Sequence, residues 1–198
     1  MKNRVLSKKI IAGKYKGKVL RLPSKTTTRS SKGVVLESFF NTVQFEIIDS
    51  VFVEVFSGSG SIGLEALSRG AKKIIFMEQD AEALKVLKLN ISLTSPDQCE
   101  IIRGDSFSNI SQVVKKLLHV KQRGYFYIDP PFSYRDGMED IYKKMIHLIK
   151  SLPKEVVKLI IIEHMSNLKL EDNIALYQLQ KTKKFGKTSL SYYKEIGT

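Results

Sequence analysis

The sequence contains no tryptophan, a single cysteine (Cys99) and no acidic residue before Glu37. One cysteine excludes a framework of internal disulfides, and this favours a cytoplasmic protein. No apolar stretch approaches the roughly eighteen residues of a membrane span, so we expect no membrane partner. His119, His147 and His164 lie far apart and lack metal-ligand spacing, so we expect no metal site.

The missing acids leave a strongly basic N-terminal segment. Residues 1–36 contain eleven Lys or Arg, whereas the other 162 residues carry only +2 of the net charge of +13. A basic segment on a nearly neutral body favours a polyanionic partner, nucleic acid before membrane, because no amphipathic apolar face accompanies the charge. The charge pattern therefore predicts a nucleic-acid-binding arm over residues 1–32 and a separate body over residues 33–198.

The body alternates apolar strands with amphipathic helices. Strands are predicted at 51–56, 73–78, 99–105, 125–129 and 157–164, and helices at 34–43, 61–70, 80–93, 110–120 and 138–152. Residues 9–23 predict a short hairpin, and residues 175–196 predict two strands joined near Gly186. Repeated βα units predict an α/β protein whose mainly parallel sheet is covered by helices on both faces, with an antiparallel pair at its edge.

Three glycines after the strand predicted at 51–56, the last of them in the first turn of the following helix, have the G-x-G-x-x-G spacing. Gly58, Gly60 and Gly63 allow a tight turn and let backbone N–H groups approach a ligand beside a helix N-terminus. Glu78 ends the next strand, where a carboxylate can bind two ribose hydroxyls. A nicotinamide dinucleotide and S-adenosylmethionine both fit this pattern, and a turn without a ligand is the simpler alternative.

Two further acids favour the methyl donor. Glu54 lies inside an apolar strand, where an unpaired carboxylate is costly to bury, and the amino end of a methionine moiety would suit it. Asp105 ends the third strand of the body and could accept from an adenine amino group, or could equally cap the next helix. A dinucleotide enzyme does not need acids at successive strand ends, so we predict S-adenosylmethionine as the cofactor.

The strand at 125–129 leads into Asp129-Pro130-Pro131-Phe132. Asp129 and the Pro130 carbonyl form a pair of acceptors suited to an exocyclic amine with two hydrogens. Phe132 offers a flat face on which a nucleobase can stack, contributing about 1–3 kcal/mol. These features predict catalytic roles for Asp129, Pro130 and Phe132 in methylating an aromatic amine.

The chain resembles the bacterial RsmD-type family of ribosomal RNA methyltransferases. The resemblance spans nearly the whole chain and rests on "IIAGKYKGKVLRLP", "TRSSKGVVLESFFN", "EVFSGSGSIGLEALSRGA", "FMEQD", "IIRGDSF", "YIDPPF", "IIEH" and "FGKTSLSYY". It implies a class I, Rossmann-like methyltransferase with a seven-stranded, mostly parallel sheet and an N-terminal β-hairpin. It also implies methylation of a guanine N2 amine in small-subunit ribosomal RNA.

The resemblance implies a role for each candidate site residue. Cofactor binding falls on Glu54, Gly58, Gly60, Glu78 and Asp105, and catalysis on Asp129, Pro130 and Phe132. The partner is ribosomal RNA or the small ribosomal subunit, and a monomer is expected. The basic arm is predicted to contact RNA through Lys14, Lys16, Lys18, Arg21 and Arg29.

Two departures and three rival functions accompany this interpretation. The family usually has Asp at position 54, and its Arg-Pro-Thr-(Thr/Ser)-Asp-Arg-Val run appears here as residues 29–35 with one acid and one arginine lost. An adenine-N6 methyltransferase would also use an Asp-Pro-Pro-aromatic turn. The second and third rivals are an inactive RNA-binding assembly factor and a nicotinamide oxidoreductase.

Overall fold

The computed structural model describes residues 6–23, 33–130 and 140–197. The strands in these ranges are Ser7–Lys9 (β1), Val19–Arg21 (β2), Val51–Glu54 (β3), Lys73–Glu78 (β4), Cys99–Arg103 (β5), Gly124–Ile128 (β6), Val157–Met165 (β7), Asn173–Ile174 (β8), Tyr177–Phe185 (β9) and Thr188–Glu195 (β10). The α-helices are Gly33–Val43 (α1), Ser61–Ser68 (α2), Ala81–Ser92 (α3), Ser106–His119 (α4) and Asp140–Lys150 (α5). No helix among the described residues is long and apolar enough to cross a bilayer.

The central sheet has eight strands in the order β5-β4-β3-β6-β7-β10-β9-β8. β5, β4, β3, β6 and β7 are parallel, whereas β10, β9 and β8 pair antiparallel at one side. The predicted fold class, a mainly parallel α/β sheet with a small N-terminal hairpin, is confirmed. The strand count of seven is too low by one because the two-residue β8 adds a short pairing beyond β9.

Helices cover both faces of the sheet, and each face has its own apolar cluster. Side chains of α1, α2 and α3 pack on one face, and those of α4 and α5 pack on the other. The N-terminal hairpin, β1 and β2, joins the first cluster through Ile10, Tyr15 and Leu20. Burying an apolar side chain of this size contributes about 1.5–3 kcal/mol, so the hairpin is anchored by packing.

Most predicted elements match the structure, and the main shift lies at α4. The strand predicted at 73–78 is β4, with the same bounds. The helix predicted from residue 110 begins at Ser106, because the Asp105 side chain accepts from the backbone N–H groups of Phe107 and Ser108. A capped N-terminus lets a helix begin in polar sequence, which an apolar pattern does not reveal.

The order of the strands predicts a ligand crevice between β3 and β6. From β3 the chain proceeds outward to β4 and β5, then returns to β6 on the other side of β3. Ligands of open α/β sheets bind at such a reversal, outside the carboxyl ends of the strands. Glu54 ends β3 and Asp129 follows β6, so these two acids lie on either side of the crevice.

Candidate active site

The glycine loop, residues 55–60, connects β3 to α2 and has two residues in the left-handed region. Gly58 has φ +52° and Gly60 has φ +75°, a conformation in which L side chains are strained. A Cβ on Gly60 would lie 2.3 Å from the Leu87 Cδ1 atom. At Gly58, no atom of the described residues lies within 4 Å of a Cβ position, so the loop leaves space there for a ligand.

Glu54 is buried beneath the first turn of α2. Its carboxylate accepts from the backbone N–H groups of Gly63, at 2.8 Å, and Ile62, at 3.4 Å. Burial raises the pKa of Glu54 to about 8, although those two hydrogen bonds and the charge of Lys8 act against the rise. The residue expected to need a ligand partner therefore has partners in the protein, and its cofactor role stays a prediction.

Glu78 holds the glycine loop from the neighbouring strand. One oxygen accepts from the Gly58 N–H at 2.7 Å, and the other accepts from Gln79 and Asp80 at 2.8 and 2.7 Å. The carboxylate is half-buried. Its place at the end of β4 fits an acceptor for vicinal hydroxyls, and that role stays a prediction.

Asp105 is the N-cap of α4. Its carboxylate accepts from the Ser108 N–H at 3.2 Å and the Ser108 hydroxyl at 2.8 Å, with a longer contact of 3.4 Å from the Phe107 N–H. The Phe107 ring packs against Phe56 of the glycine loop with centroids 5.3 Å apart. Capping is thus the role that the structure shows, and a contact with adenine stays a prediction.

Asp129 is half-buried directly after β6, and Pro130 beside it is buried. Burial raises the pKa of the Asp129 carboxyl well above its usual range, with further increases from the charges of Glu163 and Glu54, while Lys8 opposes them. Phe132, the predicted stacking ring, lies outside the described residues. The catalytic roles of Asp129, Pro130 and Phe132 stay predictions.

Glu163 is a candidate site residue to which the sequence assigned no role. It is buried in β7, and its Oε2 atom accepts from the Tyr127 hydroxyl at 2.7 Å. An acid directly after the apolar run of residues 159–162 was a visible signal, similar to the one that drew attention to Glu54. Only the pairing of β6 with β7 places Glu163 near Asp129.

Comparisons with known proteins identify the family of this chain. The family model described as conserved hypothetical protein 95 matches residues 8–194. The chain belongs to that family. Because ribosomal RNA methyltransferases of the RsmD type are among its relatives, the resemblance stated from the motifs is confirmed.

Three relatives illustrate the extent of the similarity. The Bacillus subtilis protein YlbH, provisionally named an rRNA methyltransferase, is 28% identical over 191 residues, or 96% of this chain and 100% of that one. Ribosomal RNA small subunit methyltransferase D of Haemophilus influenzae is 34% identical over 128 residues, covering 64% of both chains. The solved structure of Escherichia coli yhhF, a provisionally named methyltransferase, has a TM-score of 0.74 and 26% identity, covering 98% of this chain and 100% of that one.

The N-terminal hairpin of this family member is attached to α2 and α3 by side chains. The Glu65 carboxylate accepts from Ile11 N–H at 2.7 Å and Ala12 N–H at 3.1 Å. Asn90 accepts from the Arg21 N–H and donates to the Arg21 carbonyl, each at 2.9 Å. Residues 6–23 therefore pack on the body, while the proposed boundary at residue 32 lies outside the described residues and stays a prediction.

Four of the five predicted RNA contacts lie on this hairpin. Lys14, Lys16, Lys18 and Arg21 are exposed, and Arg29 lies outside the described residues. The ammonium groups of Lys14 and Lys18 lie 5.2 and 5.7 Å from the centroid of the Tyr15 ring. The hairpin thus presents cations toward solvent, and their binding to RNA stays a prediction.

His164 has a structural environment in β7. Its Nδ1 donates to the Met165 carbonyl at 2.9 Å, and its Nε2 lies 2.8 Å from the Ser191 hydroxyl of β10. Burial lowers the pKa of His164. The ring links β7 to β10. Among the described residues, no group of three or more His, Cys, Asp or Glu side chains is arranged to hold a metal ion.

Proposed function

We propose that this protein is an S-adenosylmethionine-dependent methyltransferase acting on the exocyclic N2 amine of a guanine in small-subunit ribosomal RNA. The observation that carries the proposal is the position of Asp129 across the β3–β6 crevice from Glu54 and the glycine loop. The family relatives named as ribosomal RNA small subunit methyltransferase D support the substrate class.

The residues at the crevice fit the proposed cofactor. Gly58 leaves open space at the loop, and Glu54 and Glu78 provide carboxylates on either side of it, at the ends of adjacent strands. Glu54 would accept from the amino group of the methionine moiety, Glu78 from the ribose hydroxyls, and Asp105 from the adenine amine. The bound cofactor supplies an electrophilic methyl group on a sulfonium.

Asp129 and the Pro130 carbonyl act on the acceptor amine. A guanine N2 lone pair is delocalised into the ring, so the nitrogen is a poor nucleophile while it is planar. Two acceptors that hold its N–H bonds favour a pyramidal nitrogen and stabilise the positive charge that develops on it. The same contacts orient the nitrogen in line with the methyl carbon at about 3 Å. After methyl transfer, the excess proton on the nitrogen passes to the Asp129 carboxylate.

Mapping the modified nucleoside tests the proposal. Small subunits from a strain lacking this protein are incubated with the purified protein and labelled cofactor, and the nucleosides are then separated. We expect N2-methylguanosine. Recovery of N6-methyladenosine would replace the proposal with the adenine alternative, and cofactor binding without any labelled nucleoside would favour an assembly role.

The contribution of the hairpin to RNA binding is tested by charge removal. Deleting the arm would uncover the apolar body residues against which Ile10 and Leu20 pack, so replacing Lys14, Lys16 and Lys18 together by Gln is the cleaner change. Each lost phosphate contact should reduce the slope of log affinity against log salt by about 0.7–0.9. A matched control neutralises three exposed lysines on α4 and α5, Lys115, Lys144 and Lys150. Equal salt slopes in both triple variants would argue against an RNA-binding hairpin.

A further inference from the structure

The acids around the crevice lie on one face of the sheet. Glu54 pairs with Tyr127 in the β3–β6 register, and Tyr127 pairs with Ile161 in the β6–β7 register. Side chains two residues apart on a strand share a face, so Asp129 and Glu163 face the side to which Glu54 points. The hydrogen bond from Tyr127 to Glu163 agrees with this placement.

That face is the one on which the N-terminal hairpin packs. Lys8 pairs with Leu20 across the hairpin, and directly paired residues of an antiparallel ladder share a face. Leu20 is buried in the cluster on this side of the sheet, whereas Lys9, on the other face of β1, is exposed. The half-buried Lys8 side chain therefore lies on the inner side of the hairpin.

The inner face of the hairpin turns the Lys8 side chain toward the side of the sheet on which the acids lie. The carboxylates that act on Lys8 come, in decreasing strength, from Glu54 of β3, Glu163 of β7, Glu65 of α2 and Asp129 after β6. Their charges oppose the lowering of the Lys8 pKa by burial. A lysine is costly to bury, and a cluster of acids is equally costly without a cation, so each stabilises the charged form of the other.

We infer that Lys8 is the counter-ion of the catalytic centre, a positioning residue that favours the charged form of Asp129, the form that accepts from the substrate amine. The inference rests on the proposed function for the role of Asp129. It assigns to the hairpin a contribution to chemistry in addition to any RNA binding. Lys8 acts through Asp129 and is not itself placed on the reacting atoms.

The test is the pH dependence of methyl transfer in single-turnover reactions with saturating RNA and cofactor. Removing the cation destabilises the ionised form of Asp129 and raises its pKa, so the acidic limb of the rate profile should move to higher pH. An opposite charge stabilises the ionised form of a carboxyl, and Lys8 is the cation among the groups that act on Asp129. We therefore expect the midpoint in Lys8→Met to rise by about one pH unit or more, with about tenfold slower transfer on the limb.

Two variants control this measurement. Lys8→Arg keeps the charge and should restore the midpoint, which a purely structural role of the residue would not predict. Lys9→Met removes the same charge from the exposed face of β1 and should leave the midpoint where it is. If Lys8→Met does not fold, Lys8→Gln is used in its place. A profile of the folded Lys8 variant that superimposes on that of Lys9→Met would overturn the inference.

A titration without RNA separates this inference from the proposed function. Side-chain carboxyl carbons of Asp are followed by NMR, and Asp129 is assigned by its loss in Asp129→Asn. Lys8→Met should raise the midpoint of Asp129 relative to the unsubstituted protein. If that shift is seen but the unsubstituted protein methylates no guanine, the proposed function fails and the counter-ion role stands. Guanine methylation with no shift overturns the counter-ion role alone.

Discussion

The acids at the carboxyl ends of the central strands, the middle acids, differ from those at the ends of β4 and β5, the flank acids. Glu54 of β3 and Glu163 of β7 are buried, Asp129 after β6 is half-buried, and the charges of Glu54 and Glu163 both raise the pKa of Asp129. Glu78 and Asp105, at β4 and β5, are half-buried, and local backbone N–H groups bind their oxygens. The middle acids therefore act on one another electrostatically, whereas Glu78 supports the glycine loop and the turn after β4, and Asp105 caps α4.

Combined substitutions should show this contrast between the middle and the flank. Residues that share an electrostatic network give non-additive effects, whereas distant residues with separate partners give nearly additive ones. Changes at Glu54 and Asp129 should therefore be coupled, and changes at Glu78 and Asp105 should be independent. Single substitutions should also distinguish the two groups, and the largest loss of function is expected in the middle group.

The largest effect is expected for Asp129→Asn. The amide keeps the size of the side chain but loses the negative charge that stabilises the developing cation. We expect single-turnover methyl transfer to fall by about 100-fold or more, by analogy with removing one preorganised electrostatic group. Cofactor affinity, measured by calorimetry, should change only a few-fold.

Asp105→Asn is the matched control for this change at the flank. It also replaces Asp by Asn, and Asn is as good a helix N-cap as Asp. With saturating cofactor it should transfer methyl groups at a nearly normal rate. Near-normal transfer by Asp129→Asn would remove the catalytic assignment and the distinction between middle and flank.

The next largest effect is expected for Glu78→Ala, which should weaken cofactor binding and leave the methyl-transfer rate nearly unchanged. The Gly58 N–H and the cofactor would both lose an acceptor at the flank. Hydrogen bonds to charged groups contribute about 1.5–3 kcal/mol, so cofactor affinity should weaken by about 10- to 100-fold. The transfer rate at saturating cofactor should stay within a few-fold. Unchanged affinity would exclude Glu78 from the cofactor site.

Glu54 should couple cofactor binding to proton release. With a pKa of about 8, most of this carboxyl is protonated at pH 7 in the free protein. A cationic amino group favours the carboxylate, so binding should lower that pKa and release up to about one proton at pH 7. The release should disappear above about pH 9, where the free carboxyl is already ionised. Calorimetry in buffers with different ionisation enthalpies measures it.

Glu54→Gln is the variant that identifies the group. Its side chain does not titrate, so the buffer dependence of the binding enthalpy should be lost. If this variant releases as many protons as the unsubstituted protein, the proton comes from another group and Glu54 is not the amino-group acceptor.

The smallest effect is expected for the cap at Asp105. Asp105→Ala should lower the free energy of unfolding by about 1 kcal/mol, while Asp105→Ser should restore most of it because serine also caps helices. Urea denaturation measures both. If the carboxylate also binds adenine, the two variants lose cofactor affinity equally. Affinity that recovers in Asp105→Ser would show that capping alone explains the residue.

Local sequence patterns predicted the succession of elements and most of the candidate site. Apolar periodicity placed β4 at its observed bounds, and the glycine spacing identified the loop after β3. Asp80, at the start of the helix predicted at 80–93, was recognisable as well, because a capping side chain binds within its own turn. In the structure the Asp80 side chain accepts from the Ala83 N–H. These features depend on neighbours within a few residues, and a single sequence displays such neighbours directly.

The tertiary structure decided which distant side chains meet. Glu65 lies in an apolar helical segment, and nothing near it indicates that it binds the backbone of Ile11. Lys8 appears in the sequence as one more cation of a basic arm, yet the pairing with Leu20 turns it toward acids from β3, β6 and β7. Strand order, register and hairpin docking are long-range contacts, and they are set by how whole apolar faces pack together. The sequence therefore determined the parts of this site, and packing decided that the basic hairpin faces them.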